Sequence, residues 1–239
     1  MAKTSDVWKA HAHGPIEKLT ESLWRVEAGL PGMSLRRVMT LARRADGRVV
    51  VHSAIALGEA EMKEVEAWGP PSFLLVPNAY HRLDAPAYKK RYPSITVLAP
   101  RGSRKKIEEV VAVDGTYEDF PTDSQVELQR LPGVADIEGT MLVRGSDGVS
   151  VVLNDAVFNM DSKKDFLGYV ITTLLGSAPG PRVSRLAKLM MVKDKRELRS
   201  ELERLAELPD LARLIVSHEK VANGKAAASE VLRQAATFL

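Results

Sequence analysis

Three features of the sequence predict an α/β fold. Short apolar runs alternate with amphipathic stretches of helical period, two turn signals (Asp46-Gly47 and Ser146-Asp147-Gly148) join pairs of strand-like segments, and the apolar runs end in polar side chains. Residues 71–100 show the pattern most fully: a buried strand at 73–76, a polar turn with Asn78 and His81, an amphipathic helix, and a second strand at 95–98. That order sets Asn78 and His81 at the C-terminal end of a strand, where α/β proteins commonly hold their chemistry.

Composition narrows the function. The chain has 239 residues and no Ser/Gly-rich linker, so one large domain at 21–239 behind an N-terminal arm at 1–20 is expected. Basic residues number 34 and acidic 31, a net +3 with the signs interspersed, which implies no basic face for nucleic acid. The absence of cysteine removes disulfides, thiolate metal sites and cysteine nucleophiles, so any metal must be held by nitrogen and oxygen. No window approaches the roughly 18 apolar residues of a membrane span, and the first residues lack the apolar run of a signal peptide. The expectation is a cytoplasmic protein with no membrane partner.

In chain order, 1–20 is polar and carries His11 and His13, read as a surface arm with two solvated histidines. A strand at 23–28 with Trp24 as its anchor leads into a hairpin closed by Asp46-Gly47. Val49 to Val51 are continuously apolar, as in a strand buried on both faces, and deliver His52 and Ser53. A helix at 59–68, with Met62, Val65 and Trp68 on one side, stops at Gly69-Pro70-Pro71. Asp84 and Pro86 start the next helix, where Tyr88 and Tyr92 face the core and Lys89, Lys90 and Arg91 face solvent. Ser103 is expected to cap a helix running through Val111. A strand at 126–131 leads to LPGVAD, and the second hairpin ends in Asn154 and Asp155. Asp155 follows an apolar strand, so an ionised group there needs a partner, a metal or a helix N-terminus. Residues 160–208 read as helices: Phe166, Leu167, Val170, Ile171, Leu174 and Leu175 form one apolar face, Met190 and Met191 join the packing, and Leu198, Leu202 and Leu205 form a stripe for the core or a subunit contact. A strand at 213–216 then delivers Ser217 and His218, and a helix closes the chain.

Together, VPNAYHRLD, the LPGVAD turn, the VVLND strand end and the terminal IVSH resemble the metallo-β-lactamase fold. VVVHSAIAL, VPNAYH, RYP and VSHEKVANG are similar, more narrowly, to an uncharacterised branch of that superfamily, a domain of unknown function. The resemblance covers 20–239 and implies a four-layer αββα sandwich. In the superfamily the first ligand turn reads H-x-H-x-D-H; here the preceding strand aligns Asn78 with its first histidine, whereas the following helix aligns His81 with its last. The histidine of a PGH turn is replaced by Val134 after Pro132 and Gly133, and an aspartate that supports the ligand cluster is replaced by His52. By the same resemblance Asp155 matches the bridging aspartate and His218 the last histidine.

These departures leave too few ligands for a two-metal site, which needs both ions about 3.5–4 Å apart. Two readings follow. The preferred one is a degenerate, metal-free member of the fold that binds a small molecule or a partner, with His52, Ser53, Asn78, Tyr80 and Val134 lining the pocket. The alternative is a hydrolase of an ester, thioester, lactone or phosphoester using one divalent metal (zinc, iron or manganese) on His81, Asp155 and His218. Asp84, Asp136 and the His11–His13 arm are further ligand candidates. A homo-oligomer through the leucine-rich helices at 183–208 is compatible with either reading.

Overall fold

The computed structural model describes residues 4–239. The first half of the chain supplies β1 (Glu17–Thr20), β2 (Leu23–Leu30), β3 (Met33–Arg43), β4 (Val49–His52), α1 (Glu59–Trp68), β5 (Pro71–Leu75), α2 (Ala85–Arg91), β6 (Thr96–Ala99), α3 (Arg101–Ile107) and β7 (Gly115–Thr116). Its seven strands lie side by side in chain order. The second half supplies β8 (Val126–Arg130), β9 (Gly139–Gly145), β10 (Gly148–Val152), α4 (Phe166–Tyr169), α5 (Arg185–Met190), α6 (Lys195–Ala206), β11 (Leu211–Ile215), β12 (Ala222–Asn223) and α7 (Lys225–Ala236). Its five strands run β12-β11-β10-β9-β8.

Strand period decides how these sheets stack. Val49 and Val51 face α1, α2 and α3 beside Met62, Val65, Tyr88 and Ile107, whereas Val50 faces the other sheet. Between the sheets, Val38, Val50, Phe73, Leu75 and Leu98 meet Met141, Val143, Val152 and Ile215. On the outer face of the second sheet, Leu142, Val151 and Leu153 pack with Leu198, Leu202, Leu205 and Leu232 of α6 and α7. The result is a four-layer αββα sandwich. Each fully buried leucine in these layers contributes about 1.5–3 kcal/mol, so one truncation is felt by the whole fold.

Parallel pairing gathers the chemistry at one rim. β4, β5 and β6 pair in parallel, as do β10 and β11, so polar residues that follow β4, β5, β10 and β11 emerge together. Backbone bonds brace this rim: Ser53 N–H donates to the Leu75 carbonyl at 3.1 Å, and Val38 N–H donates across to the Ser217 carbonyl at 2.8 Å.

Several local expectations are corrected. Ser103 does not cap its helix; α3 starts after Pro100 and ends at Ile107, and the Ser103 hydroxyl, inside the helix, donates to the Ile137 carbonyl at 2.8 Å. Of the two readings of the Leu198, Leu202 and Leu205 stripe, the core one holds, because the stripe meets the second sheet. Conversely, Phe166, Leu167 and Leu174 are exposed: α4 lasts four residues and passes into a π-helical turn at Val170–Leu174, whose wider period breaks the single apolar face. Met191 is buried but Met190 is exposed. The first segment is exposed along much of its length but docked, and His11 and His13 are half-buried, not freely solvated. Trp8 donates to the Leu57 carbonyl at 3.0 Å and packs on Tyr88, His11 reaches Asp84 at 3.4 Å, and β1 pairs with β2. Among the described residues, no helix is long and apolar enough to cross a membrane.

Candidate metal centre and its cavity

Four strand exits build the site. After β5, the Asn78 side chain folds the loop on itself: its Oδ1 accepts the backbone N–H groups of Tyr80 at 2.8 Å and His81 at 3.2 Å, an Asx turn that swings the His81 ring toward the second sheet. Its amide nitrogen donates to Oδ2 of Asp155 at 2.8 Å. After β10, Asp155 presents Oδ1 to Nε2 of His81 at 3.2 Å and to Nε2 of His218 at 3.3 Å. The three ligand atoms lie within 4.8 Å of one another. Among the described residues, this is the one group of three or more such side chains close enough to hold an ion.

The outer nitrogens of both rings are also engaged. Nδ1 of His81 lies 2.9 Å from the Ser53 hydroxyl, and Nδ1 of His218 lies 2.6 Å from the Arg36 carbonyl oxygen. A carbonyl only accepts, so Nδ1 of His218 carries a proton and Nε2 is the atom turned to Asp155. Phe158 stacks on the His218 ring at 5.6 Å between centroids and steadies its plane. Ser53 and Glu219, beside the site, hold left-handed φ angles of 57° and 61°, conformations that non-glycine residues rarely adopt and that concentrate at functional sites.

Asp155 is itself held from behind. Glu138, fully buried just before β9, accepts the backbone N–H groups of Asn154 and Ala156 on Oε1, at 2.8 and 3.2 Å, and that of Asp155 on Oε2 at 2.8 Å. Burial, followed by the charge of Asp155, pushes the Glu138 carboxyl upward, against the pull of these three donors. For Asp155, burial raises the carboxyl, but His81 and His218 together outweigh it and hold it far below the usual range.

Above the triad opens a cavity of about 500 Å³. Of the candidate site residues, Ser53, Tyr80, His81, Asp155 and His218 line it; His52, Asn78 and Val134 do not. Period two turns His52 to the same side as Val50, between the sheets, where burial, then the nearby His81, pushes its pKa down to about 3. Asn78 lies beneath, bonded to Asp155. Val134 bridges to Val192 and joins the apolar packing under α6. The other ligand candidates do not converge on the triad: Asp84 binds Arg37, Asp136 binds Arg130 at 3.2 Å, and His13 bonds the backbone of Gly14 and Gly58. Of the two residues, His81 and not Asn78 belongs to the His/Asp/His group; Asn78 bonds Asp155 from beside it. Glu138 escaped the sequence reading, although an acid between Ile137 and Gly139 at the start of an apolar strand is a signal that could have flagged it.

This sandwich, with a His/Asp/His group at its rim, is the metallo-β-lactamase fold. Solved structures bear this out: a metallo-β-lactamase from Pontibacter korlensis superposes with a TM-score of 0.60 at 12% identity, covering 91% of this chain and 96% of that one. The metallo-β-lactamase FIM-1 from Pseudomonas aeruginosa, in its mono-zinc form, gives 0.60 at 12% identity, covering 97% and 98%. One from Erythrobacter litoralis gives 0.60 at 15%, covering 94% and 96%. No family model matches the sequence and no curated protein does, so the likeness stands at the level of fold.

Proposed function

We propose that His81, Asp155 and His218 hold a single divalent ion (zinc, iron or manganese) and that the protein hydrolyses an ester-type substrate bound in the cavity. One observation carries the reading. With Nδ1 of His218 committed to the Arg36 carbonyl, the Nε2 lone pair faces Oδ1 of Asp155 at 3.3 Å, and two electron-rich atoms at that distance call for a positive centre. Two of the three separations, 3.2 and 3.3 Å from Asp155 to each ring, are close to the ligand-to-ligand edge, about 3.3 Å, of a tetrahedral ion with bonds near 2.0–2.1 Å, and the three atoms lie within 4.8 Å of one another. The fold likeness, which includes a mono-zinc enzyme, adds support.

Such an ion supplies Lewis acidity, polarising an acyl oxygen and making water acidic enough to lose a proton near neutral pH. The chain's own groups would orient everything else. Ser53 and the Arg36 carbonyl would set the ring orientations, Asn78 would hold the carboxylate, and Glu138 would fix the backbone that carries it, the usual task of groups behind the ligands. Tyr80, on the cavity wall, offers a hydroxyl to a substrate oxygen.

The metal-free binding protein remains the second reading, favoured by the burial of Val134 where a ligand would be needed for a second ion. A proton on Nε2 of His218 then closes the triad as an ion pair. Elemental analysis of protein purified without a metal-affinity tag, beside His218→Ala, decides between them. About one equivalent of metal, lost in the variant and with a melting temperature lowered by chelator, supports the hydrolase. No metal and a chelator-insensitive melt supports the empty pocket.

A further inference from the structure

We infer that the ligand of this cavity is a neutral amphiphile, with one hydrogen-bonding head at the triad and an apolar tail of several carbons along the walls. The position of the head rests on the hydrolase reading; the character of the tail does not.

Ser53, His81, Asp155 and His218 meet at the floor, and above them Tyr80, Ser177 and Ser184 add neutral hydroxyls to a lining that is otherwise mostly apolar. The walls rise as carbon and sulfur: Leu30, Met33 and Leu35 from the β2–β3 hairpin on one side, Ile171, Leu186 and Met190 from the helical layer on the other. Unbranched methionines refit around tails of differing shape. At about 500 Å³ the space is in the range that encloses a small organic ligand.

Charge argues against an anion. Two guanidinium groups reach the cavity, and both are engaged. Arg37 is buried, donating to Asp84 Oδ2 at 2.5 Å and to the Ala54 carbonyl at 3.3 Å. Arg82 donates to the Lys106 carbonyl and to Glu109 at 3.1 Å. Among the described residues, no unpaired cation lines the walls, so a carboxylate or phosphate borne on the tail would lose its hydration without compensation. A neutral ester or lactone, or the alcohol it releases, loses little there.

The test is displacement of the neutral fluorophore N-phenyl-1-naphthylamine from the full-length protein by 1-butanol, 1-hexanol and 1-octanol, and by octanoate. Full burial of a methylene is worth about fourfold in affinity. We expect octanol to bind at least about tenfold tighter than butanol and tenfold tighter than octanoate. Met190→Glu, at an exposed position on the cavity mouth, should weaken octanol about tenfold with metal content unchanged, whereas Leu189→Glu, exposed but outside the cavity, should alter neither. Octanoate binding as tightly as octanol, or an affinity independent of chain length, would overturn the inference. Metal analysis of the same samples separates the two proposals. A chain-length series in protein that carries no metal upholds the apolar cavity and removes the hydrolase; a flat series in metal-loaded protein does the reverse.

Discussion

Replacing Glu138 tests how the strand-exit carboxylate is held. Its two oxygens accept three N–H groups, from Asn154, Asp155 and Ala156, all beyond the end of β10 and buried. In Glu138→Ala all three lose their acceptor. At about 1–3 kcal/mol for each buried donor left unpaired, additivity sets a ceiling near 9 kcal/mol, and we expect a loss of at least about 3 kcal/mol. Glu138→Gln keeps the shape and one oxygen. If its carbonyl takes the place of Oε1, it still accepts from Asn154 and Ala156, and the amide nitrogen confronts only the Asp155 N–H, a loss of about 1–3 kcal/mol. Urea unfolding at pH 7.5 with chelator present, so that metal linkage does not enter, measures both changes from midpoint and slope. Alanine and glutamine variants of equal stability, or an alanine variant within about 1 kcal/mol of the parent, would refute this account of Glu138.

Three further outcomes follow from the structure. His52 stays neutral in the fold down to about pH 3, whereas the unfolded chain takes up its proton near 6.5. Between those values the unfolded state binds more protons, so stability falls as pH falls, by up to about 1.4 kcal/mol per pH unit; in chelator, His52→Leu should lose that slope between pH 6 and 4.5, and an unchanged slope would count against it. Asp84→Ala leaves the buried Arg37 guanidinium without its carboxylate and should cost about 3–5 kcal/mol, most of it recovered in the double variant Arg37→Met with Asp84→Leu; a single variant near parental stability in urea would disprove the pairing. Gly133 has φ of +80°, and a Cβ there would sit 2.4 Å from the Leu198 nitrogen and 2.5 Å from the Asp194 carbonyl, so Gly133→Ala should lower stability by more than about 1 kcal/mol and reduce the melting temperature; an unchanged melt would contradict that fit.

Local pattern carried most of the architecture. Asp46-Gly47 requires a turn because Gly47 takes φ of +85°, and the continuous apolar run at Val49 to Val51 requires burial on both faces, so hairpin, strand and layer were all legible. The same reasoning placed His81, Asp155 and His218 at strand ends, since strand ends are where apolar periodicity stops. Period alone could not say where a stripe points: Leu198 and Leu202 met the sheet, whereas Phe166 and Leu174 were turned outward by a π-helical turn that no apolar spacing announces. Nor could it choose between Asn78 and His81, a choice made by the Asx turn that closes on Asp155, 77 residues away from Asn78. Convergence of the triad, the N–H groups gathered on Glu138, and the apolar walls drawn from the β2–β3 hairpin and distant helices are properties of space. The sequence by itself determined which polar residues stand at strand ends and which segments are buried, because those follow from short-range sterics and hydrophobicity. Which of them touch was decided only by tertiary structure, because contact between β5, β10 and β11 depends on how two sheets stack.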